Sequence, residues 1–108
     1  MIYIEALYFK AGDPPVVVRM QRGNLKAMQD LVQGYIEVVP LTDELLLVCN
    51  EEGKVYGHKA YHAAELAPGH WDPIAGSFFI VRRGTGVDEG EFMSTGMADL
   101  KAIQEHLR

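Results

Sequence analysis

Along residues 2–9 apolar side chains alternate: Ile2, Ile4, Ala6 and Tyr8 fall on one side, Tyr3, Glu5, Leu7 and Phe9 on the other. This period of two, rich in aromatic and β-branched residues, predicts a strand. Ala11-Gly12-Asp13-Pro14-Pro15 breaks it, and Val16 to Met20 returns as a second strand, hairpin-paired with the first. Asn24 is a good N-cap for a helix in which Leu25, Met28, Leu31 and Val32 repeat at helical spacing. Gly34 stands where a left-handed C-terminal cap belongs. Tyr35 to Leu41 reads as a third strand, ended by Pro40 and Thr42-Asp43. Leu45 to Cys49 is apolar on both faces, which places it inside the sheet under a helix layer.

The second half is less regular. Asn50-Glu51-Glu52-Gly53 predicts a turn, with Gly53 at positive φ closing a hairpin into Lys54-Val55-Tyr56. Lys59 to Ala67 suits two helical turns ended by Pro68-Gly69, within a stretch (57–73) that is hard to read. Ser77 to Arg83 is a strand, residues 84–91 a glycine-rich acidic loop, and Phe92-Met93 a short strand. Met97, Leu100, Ile103 and Leu107 mark a terminal helix capped by Ser94 or Thr95. No internal repeat appears. The expected fold is one α+β domain over residues 1–108, a mainly antiparallel sheet of five to six strands with two helices packed on one face.

Composition removes several classes. The chain has 108 residues, 48% hydrophobic and 23% charged, which is ordinary globular usage and excludes collagen-like, disordered and disulfide-scaffold readings. No apolar run reaches the length of a membrane helix, and the first residues read as a strand, not a signal peptide. A single cysteine fits a reducing cytoplasm. Net charge is −5, and residues 34–108 hold twelve acidic groups against six basic ones. That balance argues against direct contact with nucleic acid, whose binders present a basic face.

His58, His62, His70 and Asp72 have metal-ligand chemistry, but no Glu sits between the first two as a metalloprotease needs, and Lys59 opposes a cation. Solvated histidines are the simpler reading. Gly84-Thr85-Gly86 resembles a phosphate loop only in its glycines: the spacing fits no fingerprint, and Asp88, Glu89 and Glu91 would repel an anion. Cys49 ends an apolar strand and behaves there as a small hydrophobe. Ser77, Ser94 and Thr95 lack a nucleophile elbow or a paired base. Adjacent turn carboxylates such as Glu51 and Glu52 are solvated, so their pKa values are not driven apart for acid–base work. Hence no catalytic residue, cofactor or metal ligand is expected. Trp71, in a loop bounded by Pro and Gly, suits a binding anchor or a lid on the core.

Several stretches together resemble a known group. They are Leu31-Val32-Gln33-Gly34 with Tyr35-Ile36-Glu37-Val38-Val39, then Leu47 to Lys54, then Asp72 to Val81. The group is a family of small uncharacterised domains found in bacteriophage, plasmid and bacterial genomes, and the resemblance spans about residues 20–105. Asn50-Glu51-Glu52-Gly53-Lys54 is its most specific part. Gly57 to His62 stands where that family carries a Pro- and Asn-containing stretch. The resemblance implies a mobile genetic element and a non-secreted accessory role, with no activity attached.

Three functions follow as expectations. The first is an interaction module that binds a host or phage protein, such as an inhibitor of a bacterial defence system. Its surface would be Glu51, Glu52, Asp88, Glu89 and Glu91, in two loops at one end of the sheet, with Trp71 nearby. The alternative is a small-ligand or nucleotide-binding domain using His58, His62, Arg82 and Arg83, in a homodimer with its pocket between subunits. The third is a small enzyme.

Overall fold

A computed structural model describes residues 1–108. Ten elements follow one another: β1 (Tyr3–Phe9), β2 (Val16–Gln21), α1 (Leu25–Val32), β3 (Ile36–Pro40), β4 (Leu45–Asn50), β5 (Ala60–Ala67), β6 (His70–Ala75), β7 (Phe78–Arg83), β8 (Phe92–Met93) and α2 (Leu100–Gln104). Single 3-10 turns occupy Gly86–Asp88 and Met97–Asp99. The main sheet runs β2-β1-β7-β4-β3, with β8 added to β7. Every pairing in it is antiparallel. The α+β class and the six-stranded antiparallel sheet match the sequence reading. No helix is long and apolar enough to cross a membrane.

β4 organises the core because all six of its residues are buried. Leu45, Leu47 and Cys49 face one layer with Leu7, Phe9, Phe78 and Ile80, which Ala64 of β5, Ile74 of β6 and Ile103 of α2 cover. Leu46 and Val48 face the other layer with Ile4, Ala6, Phe79 and Val81, which Met28 and Val32 of α1 cover. The two helices therefore lie on opposite faces of the sheet, correcting the expectation that they share one. A central strand apolar on both sides needs cover on both sides, and each side receives one helix. At five residues α2 is too short to cover its face alone. The β5–β6 hairpin supplies the remainder.

That hairpin replaces the helix expected over Lys59–Ala67. Alanines favour a helix locally, but propensity yields when tertiary hydrogen bonds satisfy the alternative. β5 is flanked on one side by β6 and on the other by residues 106–108: Ala63 and Arg108 exchange both main-chain hydrogen bonds (3.1 and 2.8 Å). Pro68-Gly69 is the hairpin turn, not a helix stop, with Gly69 at φ +74. Lys54-Val55-Tyr56 is likewise not a strand but part of a turn, in which the Tyr56 N–H donates to Glu52 O (3.0 Å) and the His58 N–H to Gly53 O (2.9 Å). Gly53 is not at positive φ; it is required because a Cβ there would lie 2.9 Å from Ala75 O. Neither Ser94 nor Thr95 caps the terminal helix: Ser94 Oγ accepts from the Glu5 N–H (2.9 Å), and the Thr95 hydroxyl donates to Asp99.

Candidate functional site

The C-terminal end of α1 and the loop after β4 meet around one side chain. Asn24 caps the start of α1, its side chain accepting from the Ala27 N–H (3.1 Å). At the other end the left-handed residue is Gln33 (φ 63), not Gly34. A helix leaves its last carbonyls without intrahelical donors. Here Leu31 O accepts from the Tyr8 hydroxyl (2.7 Å), and Val32 O and Gln33 O accept from Asn50 Nδ2 (3.0 and 3.1 Å). Asn50 Oδ1 in turn accepts from the Glu52 N–H (2.8 Å), and the Glu51 N–H donates to Tyr35 O (2.9 Å). Asn50 is buried, so one carboxamide holds the helix end, the edge of β4 and the following turn in register.

Beside this joint lies a groove of about 650 Å³ walled by Gln29, Asp30, Gln33, Tyr35, Glu52 and Tyr56. Tyr35 and Tyr56 are each 69% exposed, an unusual amount of aromatic surface facing water. No lysine or arginine lines the groove, and the last turn of α1 carries no basic residue to offset the negative end of the helix dipole. Asp30 pairs with Lys26 (3.0 Å), one turn earlier on α1. Hydrogen bonding to Glu52, the charge of that carboxylate, slight desolvation and the Tyr35 phenol together hold the Tyr56 phenol above its ordinary range. The groove thus offers acceptors, negative charge and two aromatic faces, a combination suited to a cationic or guanidinium-bearing group.

The expected acidic surface is divided. Because β4 and β7 are antiparallel, the loops that follow them leave from opposite ends of the sheet. Glu51 and Glu52 lie at the groove, while Asp88, Glu89 and Glu91 lie at the far end, where Arg22 reaches Asp88 (3.5 Å) and Glu91 (3.7 Å). Trp71 is no free anchor, since it lies half-buried in β6 with the Arg108 guanidinium 4.0 Å over its ring.

The residues of the alternative ligand site are also apart. Arg82 grips Asp99 with two hydrogen bonds (3.0 and 2.7 Å) and Glu44 with a third (3.0 Å). Arg82 chiefly, then the Thr95 hydroxyl, holds the Asp99 carboxyl below the usual carboxylate range. Arg83 donates to Asp43 O (3.1 Å). His62 and His58 lie elsewhere: His62 packs edge-on against Phe9 and Phe78, and His58 lies against Gly76 in the turn between β6 and β7. No three His, Cys, Asp or Glu side chains gather as a metal site would need. Cys49 is buried, and desolvation, reinforced by Glu37 and partly offset by Lys54, pushes its thiol up to about 11.

Tyr35, Tyr56 and Asn50 are the residues that pattern reading passed over. Their signal was present in part, since Tyr35 and Asn50 sit inside two of the three stretches that carry the family resemblance.

The molecule is thus a three-layer α+β domain, helix on sheet on hairpin, with an acidic and aromatic groove at one corner. Residues 4–108 match the family described as a domain of unknown function (DUF3846), and the chain belongs to that family. No curated protein and no solved structure matches it.

Proposed function

We propose that this protein is a binding module that docks a basic segment of another protein in the groove at the end of α1. One observation carries the reading: two exposed tyrosines and the carboxylates of Asp30 and Glu52 share a concavity that no cation lines. Carboxylates there steer a basic partner and raise its association rate, while tyrosine rings supply buried contact area at low entropy cost. The groove has the volume of a small-ligand site, but such sites are mostly apolar, and six of the eight residues lining this one are polar or glycine. A polar peptide fits that lining better. The partner on this reading is a host or phage protein met in the cytoplasm, and the role is accessory and not catalytic.

The test uses arginine-bearing and matched acidic peptides titrated into isotopically labelled protein. Shifts confined to Tyr35, Tyr56, Glu52 and their neighbours, seen with the basic peptides alone and weakened by salt, support the reading. Tyr56→Ala should mainly speed release, and Glu52→Lys should slow association. Basic and acidic peptides that both leave the groove resonances unmoved would overturn it.

A further inference from the structure

The two edges of the main sheet are not alike. In β3 the Glu51 N–H to Tyr35 O bond fixes which main-chain groups face β4, and from it Ile36, Val38 and Pro40 turn theirs outward. Pro40 therefore removes a donor from that free edge, and Glu37 adds an exposed charge beside it, two ordinary protections against unwanted strand pairing. β2 has neither. The Arg22 N–H to Ile2 O bond (2.8 Å) makes Met20, Val18 and Val16 face β1, so that Val17, Arg19 and Gln21 present free N–H and C=O groups outward. Val16 is 52% and Val17 40% exposed, and no helix or loop is paired across that edge.

We propose that a second copy of this chain covers the β2 edge, antiparallel, with Val18 opposite Val18 of its twin. In this register Val17 exchanges both main-chain hydrogen bonds with Arg19 of the other copy, and Val16 lies opposite Met20, extending an apolar row on the α1 side. Shifting two residues one way sets Arg19 against Arg19. Shifting the other way sets Arg19 against Pro15, which has no N–H to give, and leaves one fully bonded pair, Val17 with Val17. The proposed register has two such pairs and meets Pro15 only at its ends, opposite Gln21. The edge matches itself best in this register, and identical antiparallel strands meet about a two-fold axis, as an isologous interface requires. β2 holds one arginine and no acid, so pairing here sets no carboxylate of one strand against a carboxylate of the other. The groove at α1 is not part of this interface.

Sedimentation and light scattering of the native chain across the micromolar range should give the mass of a dimer. Val17→Pro removes an outward-facing N–H that is unbonded within the fold, so it should give a monomer with native circular dichroism whose melting temperature, unlike that of the native chain, does not depend on protein concentration. Under oxidation Val18→Cys should form a disulfide-linked dimer, because opposed residues of a non-hydrogen-bonded pair have Cα atoms about 4.5 Å apart, while Val16→Cys should not. A native monomer throughout that range overturns the proposal, as does a Val17→Pro dimer. If Val16→Cys cross-links as readily as Val18→Cys, the register is wrong and the proposal falls with it.

Discussion

The carboxamide of Asn50 occupies the space that a side chain at Gly34 would need: a Cβ on Gly34 would lie 2.6 Å from Asn50 Nδ2. Gly34 is not at positive φ, so close approach and not backbone strain demands glycine here. Asn50 uses that closeness to reach Val32 O and Gln33 O, and the wall of the groove is set by this joint.

Gly34→Ala should therefore destabilise the fold by about 1–3 kcal/mol, the usual cost of overpacking. Asn50→Ala should cost a similar amount, about 1–3 kcal/mol, because it strips partners from helix-end carbonyls. The double variant should cost less than the sum, since removing the carboxamide makes room for the new methyl. Urea denaturation of all four proteins measures the coupling. Strict additivity would mean that the two residues do not share the space described here.

Leu47 is fully buried at the centre of β4, where both faces of the sheet are covered. Leu47→Asp should bury an unpaired charge and cost several kcal/mol, comparable with the roughly 5–15 kcal/mol that holds a small domain folded. Its far-ultraviolet spectrum should show a largely unfolded chain at 25 °C. A folded, soluble variant would place the strand at an edge.

Asp99 titrates below the usual carboxylate range in the folded chain because Arg82 and the Thr95 hydroxyl favour its charged form. A lowered folded pKa means stability that is present above the unfolded value, about 3.9, and lost as pH falls through the folded one. Asp99→Asn should lower the melting temperature at pH 7 and flatten the acid-side loss of stability below about pH 4. Thermal melts of both proteins over that range decide it; parallel curves would remove Asp99 from the acid response.

Cys49 works in the opposite direction. Its thiol is raised to about 11, so the folded chain holds this proton where the unfolded chain, with an ordinary thiol near 8.5, has released it. The corresponding stability is complete below the unfolded value and declines as pH rises from there towards the folded one. At pH 8 a thiol reagent should modify Cys49 slowly in the native protein and rapidly in denaturant. Fast native labelling would show a thiol that is reached without unfolding.

The sequence alone determined the parts that depend on short range. The β1–β2 hairpin follows from alternation around Pro14-Pro15, the start of α1 from Asn24 and helical spacing, and the centrality of β4 from its unbroken apolar run. Each of these is decided by side chains within a few residues of one another, so the pattern carries it. Tertiary structure decided the rest. β5 is a strand because β6 and residues 106–108 supply its hydrogen bonds, although its alanines suit a helix. The helices separate because β4 has two faces to cover. Glu51–Glu52 and Asp88–Glu91 part because antiparallel neighbours send their loops to opposite ends of the sheet. Trp71 is covered and Arg82 is engaged because Arg108 and Asp99 return to them from the end of the chain. Local sequence does not specify which distant groups will satisfy a main-chain donor or a buried charge, and at the corner where Asn50 meets the end of α1 those distant partners build the groove.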